Sequence, residues 1–307
     1  MAITGVSGSG KTTMILESLV PALKAQLSAD VHMPDHVTSI DSPEGLTVDV
    51  VDATPIGINV RSTVATYSGV MDELRKAYAE TSAAQSDGLT ASDFSYNTGS
   101  LSCSRCEGTG EVSLDVQFLP DVDIVCPECE GGRFLPAADK YERNGISLPQ
   151  LLRMTVAEAE DLTSDLPKVR RKLQELGNLG LGYLVLGQAT PELSGGEAQR
   201  LKLVSHMRGR KSQGLVVLDE PSVGLHPLDV RTLLEVLQKL TDRGITVVVI
   251  EHDLDLIASA DYVIDMGPGG GEQGGRIVAT GTPEQIANHA DAITGTYLAH
   301  HLGCGAR

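Results

Sequence analysis

The order of apolar and polar positions predicts a chain in which strands and helices alternate. Continuous apolar runs over Gly214–Asp219 and 245–250 are typical of strands buried on both faces of a parallel sheet. Apolar residues recur at helical spacing over 12–25 and 228–243, so we predict a helix in each segment. This alternation predicts an α/β fold whose mostly parallel sheet is flanked by helices.

A glycine-rich stretch, GVSGSGKTT at 5–13, matches the phosphate-loop pattern G-x-x-x-x-G-K-[ST]. Glycines allow backbone N–H groups to point at phosphate oxygens, and the helix that follows begins with an N-terminus that favours anions. Lys11 is predicted to reach the β- and γ-phosphates, and the Thr12 hydroxyl to bind Mg²⁺. The simpler alternative is a glycine-rich turn before a helix. The residues predicted to bind nucleotide here are Gly5, Ser7, Gly8, Ser9, Gly10, Lys11, Thr12 and Thr13.

Acidic and histidine side chains follow the two apolar runs. Asp219 and Glu220 end the first run, and His252 follows the second. Phosphoryl transfer needs metal charge and a residue that orients the attacking water. We therefore predict that Asp219 binds the Mg²⁺ shell, that Glu220 polarises the water and that His252 senses the γ-phosphate. The alternatives are acids that merely end a strand and a structural histidine.

The stretch LSGGEAQR at 193–200 predicts a helix N-terminus with exposed N–H groups, which suits the clamping of a γ-phosphate. A plain N-cap is the alternative. Because it lies between the other nucleotide motifs, we identify it as the signature of ATP-binding-cassette ATPases. In such enzymes the phosphate loop of one half faces the signature of another, so we expect head-to-tail pairing, with a second copy or a complementary half. The predicted signature contacts are Ser194, Gly195, Gly196 and Glu197.

Two C-x₂-C pairs predict a structural metal site. Cys103 and Cys106 form the first pair, and Cys126 and Cys129 form the second. Four thiolates suit a closed tetrahedral Zn²⁺ site, which leaves no open position for catalysis. A disulfide framework is the alternative. The segment 112–125 between the pairs is predicted to be a hairpin with its bend at 120–121, and Cys304 is expected to be a free thiol.

The motifs predict an interrupted ATPase core. The distance from Lys11 to Ser194 is long for a compact ATPase of this type, which indicates an insertion. We expect the phosphate-loop part of the core over 1–60 and a signature and insertion region over 61–190, with the zinc module at about 91–145. The second part of the core, with the signature helix, the acidic strand end and His252, is expected over 191–307.

Charge sets limits on the partners. Lys and Arg total 24 against 41 Asp and Glu, a net charge of −17, and this disfavours nonspecific attraction to a polyanion. Between 91 and 144, four basic residues stand against ten acidic ones, so the zinc module is expected to hold DNA poorly. No long apolar run and no export signal are found, so we expect a cytoplasmic protein without membrane contact. The remaining basic candidates for a DNA contact are Arg61, Arg75, Lys76 and the segments 168–172 and 208–211.

Together, LSGGEAQR, LDEPSVGLH, VIEHDLDLIASADYVIDMGPGGG and the paired C-x₂-C insertion closely resemble the UvrA family, specifically the second of its two ATPase halves. The resemblance implies an ABC-type ATPase dimer that binds ATP, Mg²⁺ and structural Zn²⁺ and recognises damaged double-stranded DNA in nucleotide excision repair. It also implies hand-over of the lesion to UvrB. A membrane-transporter ATPase fits poorly, because the zinc insertion has no place in one.

The chain departs from the UvrA pattern in three ways. The family has a Gln where this chain has Ala53, so we expect ATP binding with reduced turnover. The basic residues that precede the family's zinc module are missing. The β region that normally precedes the phosphate loop is truncated to 1–4, and the first ATPase half and the UvrB-binding insertion are absent. Another chain could supply these parts, or the sequence could be a fragment or start upstream of Met1. The alternative function is a UvrA-like paralogue outside general repair, in drug self-resistance or as a nucleotide-switched binding module.

Overall fold

The computed structural model describes residues 1–28, 30–52, 54, 56–57, 59–114, 122–207 and 214–303. The strands in these residues are β1 (Ala2–Gly5), β2 (Thr47–Val51), β3 (Glu111–Leu114), β4 (Val122–Val125), β5 (Glu142–Arg143), β6 (Ile146–Ser147), β7 (Gly214–Asp219), β8 (Thr246–Ile250), β9 (Val263–Gly267) and β10 (Arg276–Gly281). The α-helices are α1 (Val20–Leu27), α2 (Val64–Tyr67), α3 (Val70–Ala79), α4 (Ser82–Ser86), α5 (Leu148–Leu152), α6 (Val156–Leu162), α7 (Pro167–Gly177), α8 (Gly195–Met207), α9 (Pro227–Asp242), α10 (Leu254–Ala258), α11 (Pro283–Ala287) and α12 (Ile293–His301). A π-helical segment, Thr13–Leu19, leads directly into α1, and short 3₁₀ turns cover Pro136–Lys140, Thr190–Glu192 and Gly271–Gln273.

The chain divides into two compact units. The first comprises Met1–Thr54 and His206–Arg307, and the second comprises Pro55–Ser205. The phosphate loop, the Asp219–Glu220 pair and His252 therefore belong to the first unit, and the signature begins in the second. The domain limits drawn from the sequence remain a prediction.

A six-stranded sheet forms the centre of the first unit. Its strand order is β10-β9-β1-β8-β7-β2, and neighbouring strands are parallel except for β10, which pairs antiparallel with β9. Strand β1 is only four residues long, yet every residue in it is buried. The phosphate loop thus follows a central strand, and the carboxyl ends of β1, β8 and β7 lie side by side at one edge of the sheet.

Both faces of the sheet are buried, as the continuous apolar runs predict. On one face, Leu215 and Val217 of β7 pack with Ile15 and Leu23 from the helical segment after the phosphate loop. Val216 and other residues that alternate with them along β7 are also buried. A strand with this pattern has no solvated side, which explains why its sequence is apolar throughout.

In its described residues the second unit is mostly helical, with two short hairpins, β3–β4 and β5–β6. Helices α2, α5 and α6 each begin with a capping box, in which the side chains of the N-cap residue and the third helical residue bond each other's backbone N–H. Several of the chain's few aromatic residues meet here. Tyr96 packs edge-on against Phe134 at 6.0 Å, and Phe94 packs against Tyr141 at 5.6 Å. These rings supply a core for a unit that has only short strands.

Most elements predicted from the pattern are confirmed with small shifts of their ends. Strand β7 has the predicted limits, β8 starts one residue later, and α9 lies one residue earlier than expected. The predicted hairpin is confirmed as β3 paired antiparallel with β4, and its bend lies outside the described residues. The first helix differs, because its opening turns are π-helical and lie just before Pro21, which has no N–H to donate. Within the described ranges, no helix is both long and apolar enough to cross a bilayer.

Candidate nucleotide site and cysteine cluster

The phosphate loop requires glycine at three places where the backbone is left-handed. Gly5, Gly8 and Gly10 have φ values of 136°, 75° and 92°. A Cβ atom on Gly5 would lie 2.1 Å from the carbonyl oxygen of Met266, a distance that no side chain tolerates. Within this loop the Ser9 hydroxyl is fully buried and has no hydrogen-bond partner among the described residues. An orphaned donor in a cradle of N–H groups fits a loop that binds an anionic ligand.

A second glycine-rich loop, 269–275, packs directly on the phosphate loop. The N–H of Gly271 donates to the Gly8 carbonyl at 3.0 Å, and the N–H of Gly275 donates to the Ser9 carbonyl at 2.9 Å. A Cβ on Gly270 would lie 2.7 Å from the carbonyl oxygen of Ser7. The two loops therefore touch backbone to backbone, which only glycine allows. In the sequence this loop contributes only to the family resemblance, although its run of glycines is a visible signal of close backbone contact.

Lys11 lies inside the phosphate loop and is 6% exposed. Its Nζ atom donates to the carbonyl oxygens of Gly5 and Val6, at 3.1 Å each. Burial lowers the pKa of Lys11, and the nearby carboxylates, Glu220 first, partly oppose this. A buried cation that donates to backbone carbonyl groups is available to phosphate oxygens that enter the loop.

The carboxylates of Asp219 and Glu220 lie near Lys11 and interact electrostatically with it. Burial raises the pKa of Asp219, and the charges of Glu220 and Asp52 raise it further. Glu220 has a φ of 46°, a left-handed conformation that is unfavourable for a residue with a side chain. The three carboxylates at the ends of the neighbouring strands β7 and β2 repel one another, so a divalent cation that binds there is stabilised. Asp52, which precedes Ala53, is not among the site residues predicted from the sequence.

His252 lies beside Glu220. Its Nε2 atom is 3.4 Å from Oε1 of Glu220, and both side chains are about half exposed. The structure thus brings together the four predicted catalytic residues, Lys11, Asp219, Glu220 and His252, at the carboxyl ends of β1, β7 and β8. The Thr12 and Thr13 side chains are exposed on the first turn after the loop.

The signature forms a capped helix start in the second unit. The Ser194 hydroxyl accepts the N–H of Glu197 at 3.3 Å, and Glu197 Oε2 accepts the N–H of Ser194 at 2.7 Å. The hydroxyl of Tyr183 donates to the other oxygen of Glu197 at 2.6 Å. Burial and the Glu197 charge raise the pKa of Tyr183 to about 12, so Tyr183 remains a donor. Glu197 was predicted to touch nucleotide, and its carboxylate is here engaged in the cap. Gly195 and Gly196 open helix α8 beside it.

The four cysteines of the two pairs form one buried cluster. Their Sγ atoms all lie within 4.8 Å of one another. Cys103 and Cys126 are separated by 3.9 Å between sulfurs, and Cys106 and Cys129 by 3.6 Å. These separations are far longer than a disulfide, and a zinc tetrathiolate has sulfur–sulfur edges of about 3.8 Å. The donor set and its spacing therefore fit Zn²⁺, and the cysteines are free of disulfides.

The surroundings shift the pKa values of the cluster's thiols in opposite directions. Burial raises the pKa of Cys103 and of Cys129. At Cys126 burial acts in the same direction, but the N–H groups of Cys129 and Glu128 outweigh it and lower the pKa to about 7. Gly108, with a φ of 79°, lets the chain turn where a Cβ would lie 1.8 Å from the carbonyl oxygen of Tyr96.

A buried arginine connects the cysteine knuckles to the segment that precedes the signature. Arg133 donates to the carbonyl oxygens of Gly108 at 3.1 Å, Gly187 at 3.0 Å and Val60 at 3.3 Å. Its guanidinium also lies over the ring of Tyr96, 5.3 Å from the centroid. Arg133 therefore has a structural role and is not a free basic contact for DNA.

The basic candidates for DNA contact are mostly paired with acids. Ion pairs join Arg61 to Glu107, Arg75 to Asp72, Lys76 and Lys168 to Glu73, Arg170 to Glu160, and Arg171 to Glu175. Lys172 donates to the Gly69 carbonyl. Exposed pairs of this kind are weak, so they reduce the net positive field more than they restrain the side chains. The candidates at 208–211, as well as Ala53 and Cys304, lie outside the described residues.

Comparison with known proteins identifies the family. UvrABC system protein A of Lactiplantibacillus plantarum is 44% identical over 300 residues, which are 97% of this chain and 32% of that protein. UvrABC system protein A of Clostridium acetobutylicum is 44% identical over 298 residues, 96% of this chain and 32% of that protein. The crystal structure of UvrA2 from Deinococcus radiodurans matches with a TM-score of 0.87 and 42% identity, over 97% of this chain and 36% of that chain. The chain belongs to the UvrA family.

Family membership confirms the resemblance found in the motifs and the ABC-type α/β fold expected from it. No family model matches the chain. The chain spans about a third of the length of the curated UvrA relatives that it matches. The four-cysteine cluster agrees with the zinc module that the UvrA resemblance implies.

Proposed function

We propose that this chain is a UvrA-type ATPase half, corresponding to the second half of UvrA, which binds and hydrolyses ATP with Mg²⁺ in a head-to-tail pair. The observation that carries the proposal is the convergence of Lys11, Asp219, Glu220 and His252 at one sheet edge. The partner is a second copy or a complementary UvrA-like half.

Each residue has a defined task in this proposal. Lys11 exchanges its two carbonyl acceptors for β- and γ-phosphate oxygens, which bind a cation more strongly. Asp219 and Thr12 would bind Mg²⁺ through its coordination shell, and the charge of the ion would stabilise the phosphates. Glu220 orients the attacking water, and His252, 3.4 Å from it, contacts the γ-phosphate.

The signature of the partner completes the site. Ser194 and Gly196 present the N-terminus of α8, where N–H groups and the helix dipole favour a phosphate. Glu197 and Tyr183 hold the first turn of that helix in shape. Zinc stabilises the module around the cysteine cluster without taking part in the chemistry, because four thiolates leave no position for a substrate.

The biological role follows from the family and is limited by the charges. We infer cytoplasmic recognition of damaged double-stranded DNA in nucleotide excision repair, with a UvrB-like protein as a further partner. The zinc module supports only weak DNA binding. Three of its four basic side chains are engaged, Arg133 with carbonyl groups, Lys140 with Asp87 and Arg143 with Asp165.

This acidic module favours one second candidate, a UvrA-like paralogue outside general repair, in drug self-resistance or as a nucleotide-switched binding module. Duplex binding with and without a lesion, measured over a salt series, separates the two. A lesion preference with a steep salt slope supports repair, and no measurable duplex binding supports the binding module.

The ATPase assignment is tested with the zinc-loaded chain and its Glu220→Gln variant. Wild type should hydrolyse ATP with a rate per chain that rises with protein concentration, because pairing completes the site. Glu220→Gln should bind ATP, stay paired and lose hydrolysis. Hydrolysis that is unchanged in Glu220→Gln, or a chain that stays monomeric at high ATP in this variant, contradicts the proposal.

A further inference from the structure

Glu251 is a buried carboxylate between the two turns that carry Glu220 and His252. It directly follows β8 and is 1% exposed. Such a group is costly in a protein interior unless it accepts several hydrogen bonds. Nothing in the phosphate-loop or signature motifs requires an acid at this position, so its contacts have to explain it.

Among the residues that the structure describes, the side chain accepts four hydrogen bonds, and all of them come from these two turns. On one oxygen, Oε1 accepts the N–H of Ser222 at 2.8 Å. On the other, Oε2 accepts the Ser222 hydroxyl at 2.9 Å, the N–H of His252 at 2.8 Å and the N–H of Asp253 at 3.1 Å. Helix α10 does not need Glu251 as a cap, because Asp253 accepts the N–H of Leu256 in that role.

These bonds fix the place of Glu220. Its left-handed backbone, with φ of 46°, costs about 1 kcal/mol and persists only where neighbouring bonds hold it. The N–H of Glu220 donates to the carbonyl of Ile250, and two residues later Ser222 is bound by Glu251. The carbonyl of Ile250 and the carboxylate of Glu251 therefore hold the Glu220 turn by hydrogen bonds on both sides. The Glu251 carboxylate also accepts the backbone N–H of His252.

We propose that Glu251 is a positioning residue of the ATPase site. Its carboxylate links the Ser222 turn to the His252 turn by hydrogen bonds and keeps Glu220 and His252 in place relative to each other. This inference rests on the proposed ATP hydrolysis. Glu251 does not touch the reacting atoms, and none of its four side-chain bonds goes to the phosphate loop.

The test is Glu251→Gln, which preserves the shape of the side chain. In either orientation its NH₂ group faces at least one N–H donor, so the tie is broken. We expect kcat to fall about 10- to 100-fold, because a misplacement of about 1 Å has that effect. The KM for ATP should change less than about threefold, because the binding loop is untouched. Asp253→Asn is the matched control, since it keeps the backbone N–H and the helix cap, and should retain wild-type kcat.

A double-variant cycle separates positioning from general damage. In a His252→Ala background, Glu251→Gln should cause a smaller fall in kcat than in the wild-type background, because one of the two residues that Glu251 positions is already removed. A fully additive loss, or a rise in KM without a fall in kcat, overturns the inference. If Glu251→Gln does not fold, Ser222→Ala tests the same inference, because it removes only the hydroxyl donor to Glu251. A fall in kcat that becomes smaller in a His252→Ala background supports the inference, and wild-type kcat overturns it.

Amide hydrogen exchange makes the test independent of hydrolysis. In Glu251→Gln, the amides of Ser222, His252 and Asp253 should exchange faster, while those of helix α9 stay unchanged. Unchanged exchange at the three amides overturns the inference. If wild type hydrolyses no ATP, the proposed function fails, and the exchange data alone decide whether Glu251 ties the two turns.

Discussion

Replacement of Arg133 by Met tests whether one buried cation holds the cysteine module in place. Met keeps most of the volume but none of the donors. The carbonyl of Gly108 is buried, so leaving it without a donor costs about 1–3 kcal/mol. The carbonyls of Gly187 and Val60 are partly buried and can regain water, so the loss there is about 1 kcal/mol each.

The total loss for Arg133→Met is therefore about 3–5 kcal/mol, a lowering of the unfolding midpoint by about 10 °C for a unit of this size. The assay is thermal unfolding of zinc-loaded protein, with zinc release followed by a colorimetric chelator. Arg105→Met is the matched control, because Arg105 lies exposed on the first knuckle. If the two variants unfold and release zinc at the same temperature, the assigned role of Arg133 is wrong.

Three further outcomes follow. Because burial raises the pKa of Asp219, its ionised form destabilises the nucleotide-free fold. Asp219→Asn should therefore raise the unfolding midpoint at pH 8, and this gain should shrink as the pH falls through the folded-state pKa. A pH-independent loss of stability would contradict this. Turnover per site should be lower than that of an intact UvrA assayed in parallel, and Ala53→Gln should raise it; equal turnover refutes the prediction. Elemental analysis of purified protein should find one zinc ion per chain. The zinc should be lost in Cys103→Ser and retained in Cys304→Ser, and zinc retained in both variants excludes the cluster as its site.

The sequence predicts the parts of this molecule that repeat a local pattern. An apolar run such as β7 has one reasonable interpretation, a strand buried on both faces, and its limits are confirmed. The two C-x₂-C pairs predict their own convergence, because four thiols at that spacing suit a shared metal, and the structure brings the four sulfur atoms together. The sequence also assigns Asp219, Glu220 and His252 to the ends of apolar runs, and in the structure they lie close together because parallel strands align their carboxyl ends.

Features that depend on long-range contacts could not be predicted in this way. Strand β1 has four residues and no pattern of its own, and it becomes a central strand only through pairing with β8 and β9. Glu251 looks like any acid at a strand end until the donors of Ser222 are brought to it across 29 positions of sequence. The sequence of the loop 269–275 shows only that it is rich in glycine. The structure explains the glycines, because the backbone of the phosphate loop lies directly against this loop.

Mixing two inactive variants tests the central claim, that each ATP site is shared by two chains. Lys11→Ala should inactivate the phosphate loop, and Gly196→Asp should place a carboxylate at the signature where the phosphate docks. In a head-to-tail pair made of one variant each, one site has two intact halves. If wild type is active and pairs with itself, equal amounts of the two variants should recover about a quarter of wild-type activity, because half of the pairs are mixed and half of their sites are intact. No recovery beyond the sum of the separate variants, alongside an active wild type, would contradict the shared site.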